Sequence, residues 1–291
     1  MKRHSPTAAK QRGMAIISAL LIAAVVAVLA GSMLTRQTVF TRSLEAEQLR
    51  VQGQWLLQAG LERSRQMLWE ARQKDVLTRL DQPWARAQGG GVESRIEDEQ
   101  GKFNLRNLVN RDRDQADAEQ LQSFERLCRT MGVDPAVSRR ISQRVIASYI
   151  APAKYPMLRS LDDLAGLEGL DPLLLQRMHA YISVLPANTW VNGNTASAEV
   201  LSAVVPQLSL SQAQGLVAER NNGQWFINRG DFVNRLHLPQ VAVDSVQVGI
   251  TSEWFRVQGQ ARREQRRVTM DALLHRPEDR QPQVIWSRVG V

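Results

Sequence analysis

Gln11-Arg12-Gly13-Met14 opens into Ala15-Ile16-Ile17-Ser18 and then an uncharged run that reaches Leu34. From Met14 to Leu34 there are 21 residues without a charge. As a helix this run is about 31 Å long against a hydrocarbon core of roughly 30 Å, so one membrane span fits. Residues 1–13, in front of it, hold Lys2, Arg3, Lys10 and Arg12 and no acid. Positive charge stays on the cytoplasmic side, which predicts that the remaining chain faces outward. Gly13 sits between this basic leader and the apolar run, and a cut behind it would leave the apolar segment on the protein.

Two other readings of the same residues are weaker. An ordinary secretory signal ending at Val28-Leu29-Ala30 would discard the whole segment, but the run exceeds a usual apolar region of roughly 7–15 residues. An uncleaved anchor leaves the placement of Gly13 without a reason. From Met14 to Arg72 there is no proline, and the next is Pro83. Phe40, Leu44, Val51, Trp55 and Ala59 fall within about 100° of one another at helical spacing. The pattern predicts one helix of about 60 residues, roughly 88 Å, with its first half in lipid and its second half packed on a soluble domain. Gly53 and Gly60 weaken it locally.

A basic leader, a processing glycine, a hydrophobic half-helix and an amphipathic half-helix resemble the N-terminal plan of type IV pilins and type II secretion pseudopilins. Most members of that superfamily carry a glutamate at mature position five, which here is Ser18. In the family the glutamate pairs with the N-terminal amine of the neighbouring subunit nearer the filament tip, and a subunit with no neighbour above it has no such amine to meet. An unpaired carboxylate in the bilayer costs on the order of 2.5–3.5 kcal/mol. Ser18 therefore suits a subunit placed first, and the resemblance narrows to the K-type minor pseudopilin, the general secretion pathway protein K family. It implies cleavage between Gly13 and Met14 by a prepilin peptidase and N-methylation of Met14. The implied location is the inner membrane, single-pass, with a cytoplasmic N-terminus and a periplasmic C-terminal domain. The implied partners are the other minor pseudopilins and the major pseudopilin, with the secretin or the secreted substrates as further candidates.

Charge and cysteine content agree with an anchored, exported protein. The net charge is +8, and without the four leader cations 33 basic residues face 29 acidic ones, a balance of +4. The basic pI is thus partly a property of the leader and weak evidence for nucleic acid. Cys128 is the single cysteine, so no intrachain disulfide can form.

The rest of the chain reads β, then α, then β. Val92, Ser94 and Ile96 alternate with charged residues after the Gly89-Gly90-Gly91 loop, as in a half-buried strand. Gly101-Lys102-Phe103-Asn104-Leu105-Arg106-Asn107-Leu108 is similar to the Phe-Asn-Leu-x-x-Leu segment of K-type pseudopilins. Helical signals cover 117–131, 134–150, 160–166, 172–184, 196–205, 210–221 and 229–236, with capping-box spacing at Ser160/Asp163 and Ser209/Gln212. Alternation returns at Val246, Val248 and Ile250, at Phe255 and Val257, at Val268 and Met270, and at Val284 and Trp286. The expected fold is α+β: a pilin-like N-terminal helix packed on a small antiparallel sheet, with a large inserted all-α subdomain containing helix-hairpin-helix-like units. The divisions are leader 1–13, transmembrane half-helix 14–34, amphipathic half-helix 35–75, first part of the sheet 76–111, inserted α-domain 112–243 and C-terminal strands 244–291.

The strongest rival lies in the insertion. Val191-Asn192-Gly193-Asn194-Thr195-Ala196 resembles the opening of helix-hairpin-helix modules in membrane-anchored DNA-uptake proteins, with further copies compatible at Gly166–Ile182 and Gln212–Leu236. Such modules hold phosphate with backbone N–H groups of a glycine hairpin. Here the hairpin reads Leu208-Ser209-Leu210, without glycine, and the earlier copy, Gly166-Leu167-Glu168-Gly169, puts a carboxylate where phosphate would come. Arg220, Arg229 and Arg235 read as a solvated face, and nucleic acid is not an expected partner.

No catalytic role is expected. His4, His179, His237 and His275 are scattered, and no metal-spaced His/Glu pair, nucleophile elbow or phosphate loop occurs. K-type relatives can hold calcium in an acidic α-domain loop, but Val145 to Tyr155 contains no carboxylate, and calcium takes six to eight oxygens. Asp112, Asp114, Asp117 and Glu119 are interleaved by Arg111 and Arg113 and read as a solvated loop. No cofactor is expected.

Overall fold

The computed structural model describes residues 7–86, 92–112, 115–263 and 266–290. Lys2, Arg3 and His4 of the leader, the loop glycines Gly89, Gly90 and Gly91, and Arg113 and Asp114 lie outside the described residues. The chain divides into two units, Met1–Trp55 and Leu56–Val291.

In chain order the helices and strands are α1 (Thr7–Lys74), β1 (Val92–Asp98), β2 (Phe103–Asn104), α2 (Ala118–Thr130), α3 (Pro135–Tyr149), α4 (Pro172–Met178), β3 (Ile182–Ser183) and β4 (Val191–Asn192). There follow α5 (Ala198–Val204), α6 (Leu210–Asn221), α7 (Arg229–Arg235), β5 (Val248–Gly249), β6 (Trp254–Arg263), β7 (Arg266–His275) and β8 (Gln283–Gly290). Short 3-10 turns link several of them.

In the first unit, α1 presents Ile16, Ile17, Leu20, Leu21, Val28 and Leu34 as exposed side chains. The polar groups of this stretch are satisfied within the helix. Ser18 Oγ donates to the Met14 carbonyl at 2.9 Å, Thr35 to Gly31 at 2.9 Å and Thr38 to Leu34 at 2.9 Å. Such back-bonding removes the cost of a bare hydroxyl in an apolar surrounding.

In the second unit, Leu57, Leu61, Ser64, Leu68 and Ala71 make the buried stripe of α1, at the 3–4 residue spacing of one helix face. It packs on Phe255, Val257, Met270, Ala272 and Leu274 of the sheet, with Trp84 and Ile96 closing the core. A Cβ at Gly259 would lie 3.0 Å from Leu57 Cδ2, so the bare backbone there lets the helix approach the sheet. This corrects the expected stripe: Trp55 is 71% exposed, and Phe40, Leu44, Val51 and Ala59 are exposed as well. Ala59 is two residues from Leu57, about 200° round the helix. The chain carries two apolar lines on α1, and periodicity alone does not tell which one meets the sheet.

The sheet order is β1-β6-β7-β8, all antiparallel, with Val92 opposite Ala261 and Asp98 opposite Phe255. Strands far apart in sequence thus share one sheet, and the helices lie in the chain between them. The alternation of Phe255/Val257 and Val268/Met270 puts these four side chains on the α1 face.

The helices enclose a second core around Phe103, Leu108, Phe124, Ile141, Phe226 and Phe232. Ser209 and Gln212 form a capping box on α6, and the Ser160 N–H donates to the Asp163 carboxylate at 3.1 Å. Asp117, expected in a solvated acidic loop, is the N-cap of α2 and accepts from Gln120 N at 3.0 Å. Two further expectations are corrected. The helix expected over 172–184 stops at Met178, and Ile182–Ser183 pairs in parallel with Phe103–Asn104. Of Val246, Val248 and Ile250, only Val248 enters a strand, and β5 pairs in parallel with β4 outside the main sheet. Val246 and Val248 alternate because both are buried in the helical core.

Candidate functional site

Gly13 and Met14 are consecutive residues of α1, and Met14 is 68% exposed. Ser18 lies one turn further on. Its hydroxyl proton is spent on the Met14 carbonyl, so the position carries neither a charge nor a free donor. Met14 and Ser18 are brought together by the i,i+4 spacing of one helix, a relation the sequence already contained.

The segment read as a phosphate-binding opening does different work. Asn192 and Asn194 are fully buried. Asn192 Nδ2 donates to the Asp98 carboxylate at 3.0 Å and to the Thr78 carbonyl at 3.1 Å. Thr195 and Ser252 hydroxyls donate to the same Asp98 oxygen, each at 2.6 Å, while Asp98 Oδ1 accepts the Gln100 N–H at 2.9 Å. Asn194 exchanges two bonds with the Phe226 backbone, both 2.9 Å. A Cβ on Gly101 would sit 2.9 Å from Thr195 Oγ1, and one on Gly193 3.1 Å from Val248 Cγ1. The Asn-Gly-Asn-Thr-Ala segment is thus a polar lock that joins the helical block to the end of β1.

Arg220 closes that lock. It is 2% exposed, and its Nη1 donates to the carbonyls of Gly193 at 2.9 Å and Ala196 at 2.6 Å. Burial pushes its pKa down to about 10. Arg229 stacks on Trp190 and donates to the Val246 carbonyl, and Arg235 pairs with Asp231 at 2.9 Å. The expected solvated face is therefore corrected: these arginines are held by carbonyls, rings and a carboxylate, and Arg220 is inside the protein. Replacing Arg220 by alanine strands two buried carbonyls, which should cost about 3 kcal/mol of folding stability in denaturant titration. A variant as stable as the parent would show the lock to be dispensable.

Beside the lock, Lys102 donates to Glu99 at 2.7 Å and Glu97 at 3.1 Å. Burial opposes the charge of Lys102, but the two carboxylates outweigh it and hold its pKa above the ordinary lysine value. Arg256 grips Asp271 through two bonds of 2.7 and 2.6 Å. Its Nη1 lies 3.3 Å from His179 Nδ1, and His179 Nε2 lies 2.9 Å from Asp162. His179 is thereby a bridge between the helical block and β6. Cys128 is buried among apolar side chains, which push its thiol up to about 11 and keep it protonated. Among the described residues no three His, Cys, Asp or Glu side chains gather as a metal-binding group.

Comparison with known proteins gives this arrangement its family. Two family models, both described as type II secretion system protein K, match residues 101–187 and 191–251 and together span just over half of the chain. They cover Phe103 to Leu108 and the whole Asn192–Ala196 lock. The chain belongs to the type II secretion system protein K family. The Pseudomonas aeruginosa type II secretion system protein K is 28% identical, with 96% of this chain and 93% of that protein aligned. The Klebsiella pneumoniae protein K is 27% identical over 74% of this chain and 77% of its own length. A chain in the crystal structure of the GspK-GspI-GspJ complex from enterotoxigenic Escherichia coli superposes with a TM-score of 0.66 at 16% identity. It covers 85% of this chain and 99% of its own. As a protein K family member, the chain is a minor pseudopilin of type II secretion, and its apolar α1 is compatible with a single membrane anchor.

Proposed function

We propose that this minor pseudopilin is the first subunit at the tip of the type II secretion pseudopilus, where it starts filament assembly for export of folded proteins across the outer membrane. The observation that carries the reading is Ser18: the apolar turn behind Gly13 holds no carboxylate, and its hydroxyl is already bonded to Met14. A subunit with no neighbour above it has no amine to satisfy a glutamate there. The leader is removed between Gly13 and Met14 by a prepilin peptidase, and Met14 is then N-methylated. The chain crosses the inner membrane once, with the second unit in the periplasm.

Partners on this reading are the other minor pseudopilins and the major pseudopilin, met helix against helix. The solved neighbour, from a GspK-GspI-GspJ complex, supports a similar association here. The paired helices α5 and α6 reuse a helix-hairpin-helix frame as scaffold, since Arg220 is taken up by the lock.

Ser18 gives the direct test. Ser18→Glu should be neutral or mildly harmful to pseudopilus initiation and export, and Ser18→Leu should be tolerated. If glutamate markedly improves assembly while leucine abolishes it, the subunit works inside the filament and the tip assignment fails.

A further inference from the structure

A groove of 860 Å³ opens on the face of the sheet opposite α1. Its floor holds Leu273, Ile285 and Trp286, and its far wall is Met157 and Leu158 from the loop after α3. A bulge in the β7–β8 pairing, between Leu273 and Leu274, leaves Ile285 as an extra residue. Bulges re-aim side chains, and here the consecutive residues Ile285 and Trp286 both line the groove. Ile285 is 43% exposed and Met157 is 54% exposed, so the apolar surface is open to solvent.

Three arginines, Arg144, Arg159 and Arg288, stand along the same groove. Arg144 packs over the Tyr155 ring at 4.5 Å and Arg288 over Trp286 at 5.1 Å. Arg288 also reaches the Ser160 hydroxyl at 3.5 Å, and Arg144 reaches Ser148 and the Pro156 carbonyl. None of the three has a carboxylate in ion-pair contact among the described residues, whereas Arg140, Arg235 and Arg256 elsewhere in the unit do. Asp163, the one acid among the described residues that line the groove, is engaged by the backbone N–H groups of Arg159 and Ser160 at 2.6 and 3.1 Å.

We propose that this groove binds an extended, acidic segment of a partner protein, its apolar side chains seated on Trp286, Ile285 and Met157 and its carboxylates on Arg144, Arg159 and Arg288. Excess positive charge on the rim selects the sign of the partner. The apolar floor separates a peptide from a bare polyanion, because a phosphate backbone gains nothing from Ile285 or Leu158. Arginine and aromatic anchors side by side are the composition of binding hot spots. The volume is in the range of clefts that take a ligand.

The test uses the full-length protein in zwitterionic detergent and three labelled octapeptides in which valine alternates with glutamate, glutamine or lysine. The glutamate peptide should bind most tightly, and Arg159→Glu with Arg288→Glu should weaken it at least about tenfold while bringing in the lysine peptide. Trp286→Ala should weaken it by a similar factor, and Arg262→Glu, an exposed residue near the end of β6, should leave it unchanged. If the doubly reversed protein does not fold, Arg159→Gln with Arg288→Gln, checked for an unaltered denaturation midpoint, should still lose the glutamate peptide. Equal binding of the three peptides, unaltered binding after the charge changes, or equally tight binding of single-stranded oligothymidylate would overturn the assignment.

Discussion

Replacing Asp98 by alanine should lower the folding stability of the second unit by about 4 kcal/mol, the largest single effect expected in the protein. Asp98 ends β1 and is 7% exposed. Its carboxylate takes donors from Asn192, Thr195, Ser252 and the Gln100 backbone. Without it, Thr195, Ser252 and the Gln100 N–H lose this acceptor, and Asn192 is left with the Thr78 carbonyl and the Ser252 hydroxyl. An unsatisfied buried donor costs about 1–3 kcal/mol, and bonds to a charged acceptor are the stronger kind. Single donor deletions, Thr195→Val or Ser252→Ala, should each cost about 1–2 kcal/mol, because one partner goes and the carboxylate keeps the others. Thermal unfolding would show the Asp98 loss as a fall of about 10 °C for a unit of this size. A change under about 1 kcal/mol would mean that apolar packing alone holds the helical block to the sheet.

Gly13→Leu should block maturation outright. A peptidase that needs a small residue before the cut meets a branched side chain there, so the precursor should accumulate in the membrane with its leader attached and export should fall to background. Mass spectrometry of the wild-type membrane fraction should give a mature chain beginning at N-methylated Met14. A mature chain beginning at Gly31 would instead mean an ordinary signal peptidase and the loss of the span. Since Gly13 lies in the first unit, the variant should leave the stability of the second unit untouched, which separates a processing defect from a folding one.

Much of this molecule was legible from local signals. The uncharged run after Gly13 states its own length, and strands β6 and β7 announce themselves by the period of Phe255/Val257 and Val268/Met270. The capping box at Ser209 and Gln212 is a relation between residues three apart, and it formed as read. The Phe103–Leu108 segment was recognised by its order, and its three large apolar side chains proved to be the centre of the helical core.

What the sequence could not decide was which groups meet across the chain. Asn192 and Asp98 are 94 positions apart, and nothing local to either marks a bond. The same Asn-Gly-Asn-Thr-Ala string fits a phosphate cradle or a buried lock, because both use side-chain amides and close backbone approach. Arg220 differs from a surface arginine only in what surrounds it. The face of α1 that meets the sheet was likewise undetermined, since two apolar lines run along it and the room that Gly259 leaves for Leu57 is seen only once the sheet is formed. Period, cap and membrane length follow from backbone geometry within a few residues, so sequence alone determined them. Burial and polar partnership depend on which surfaces the fold brings together, and those only the tertiary structure decided.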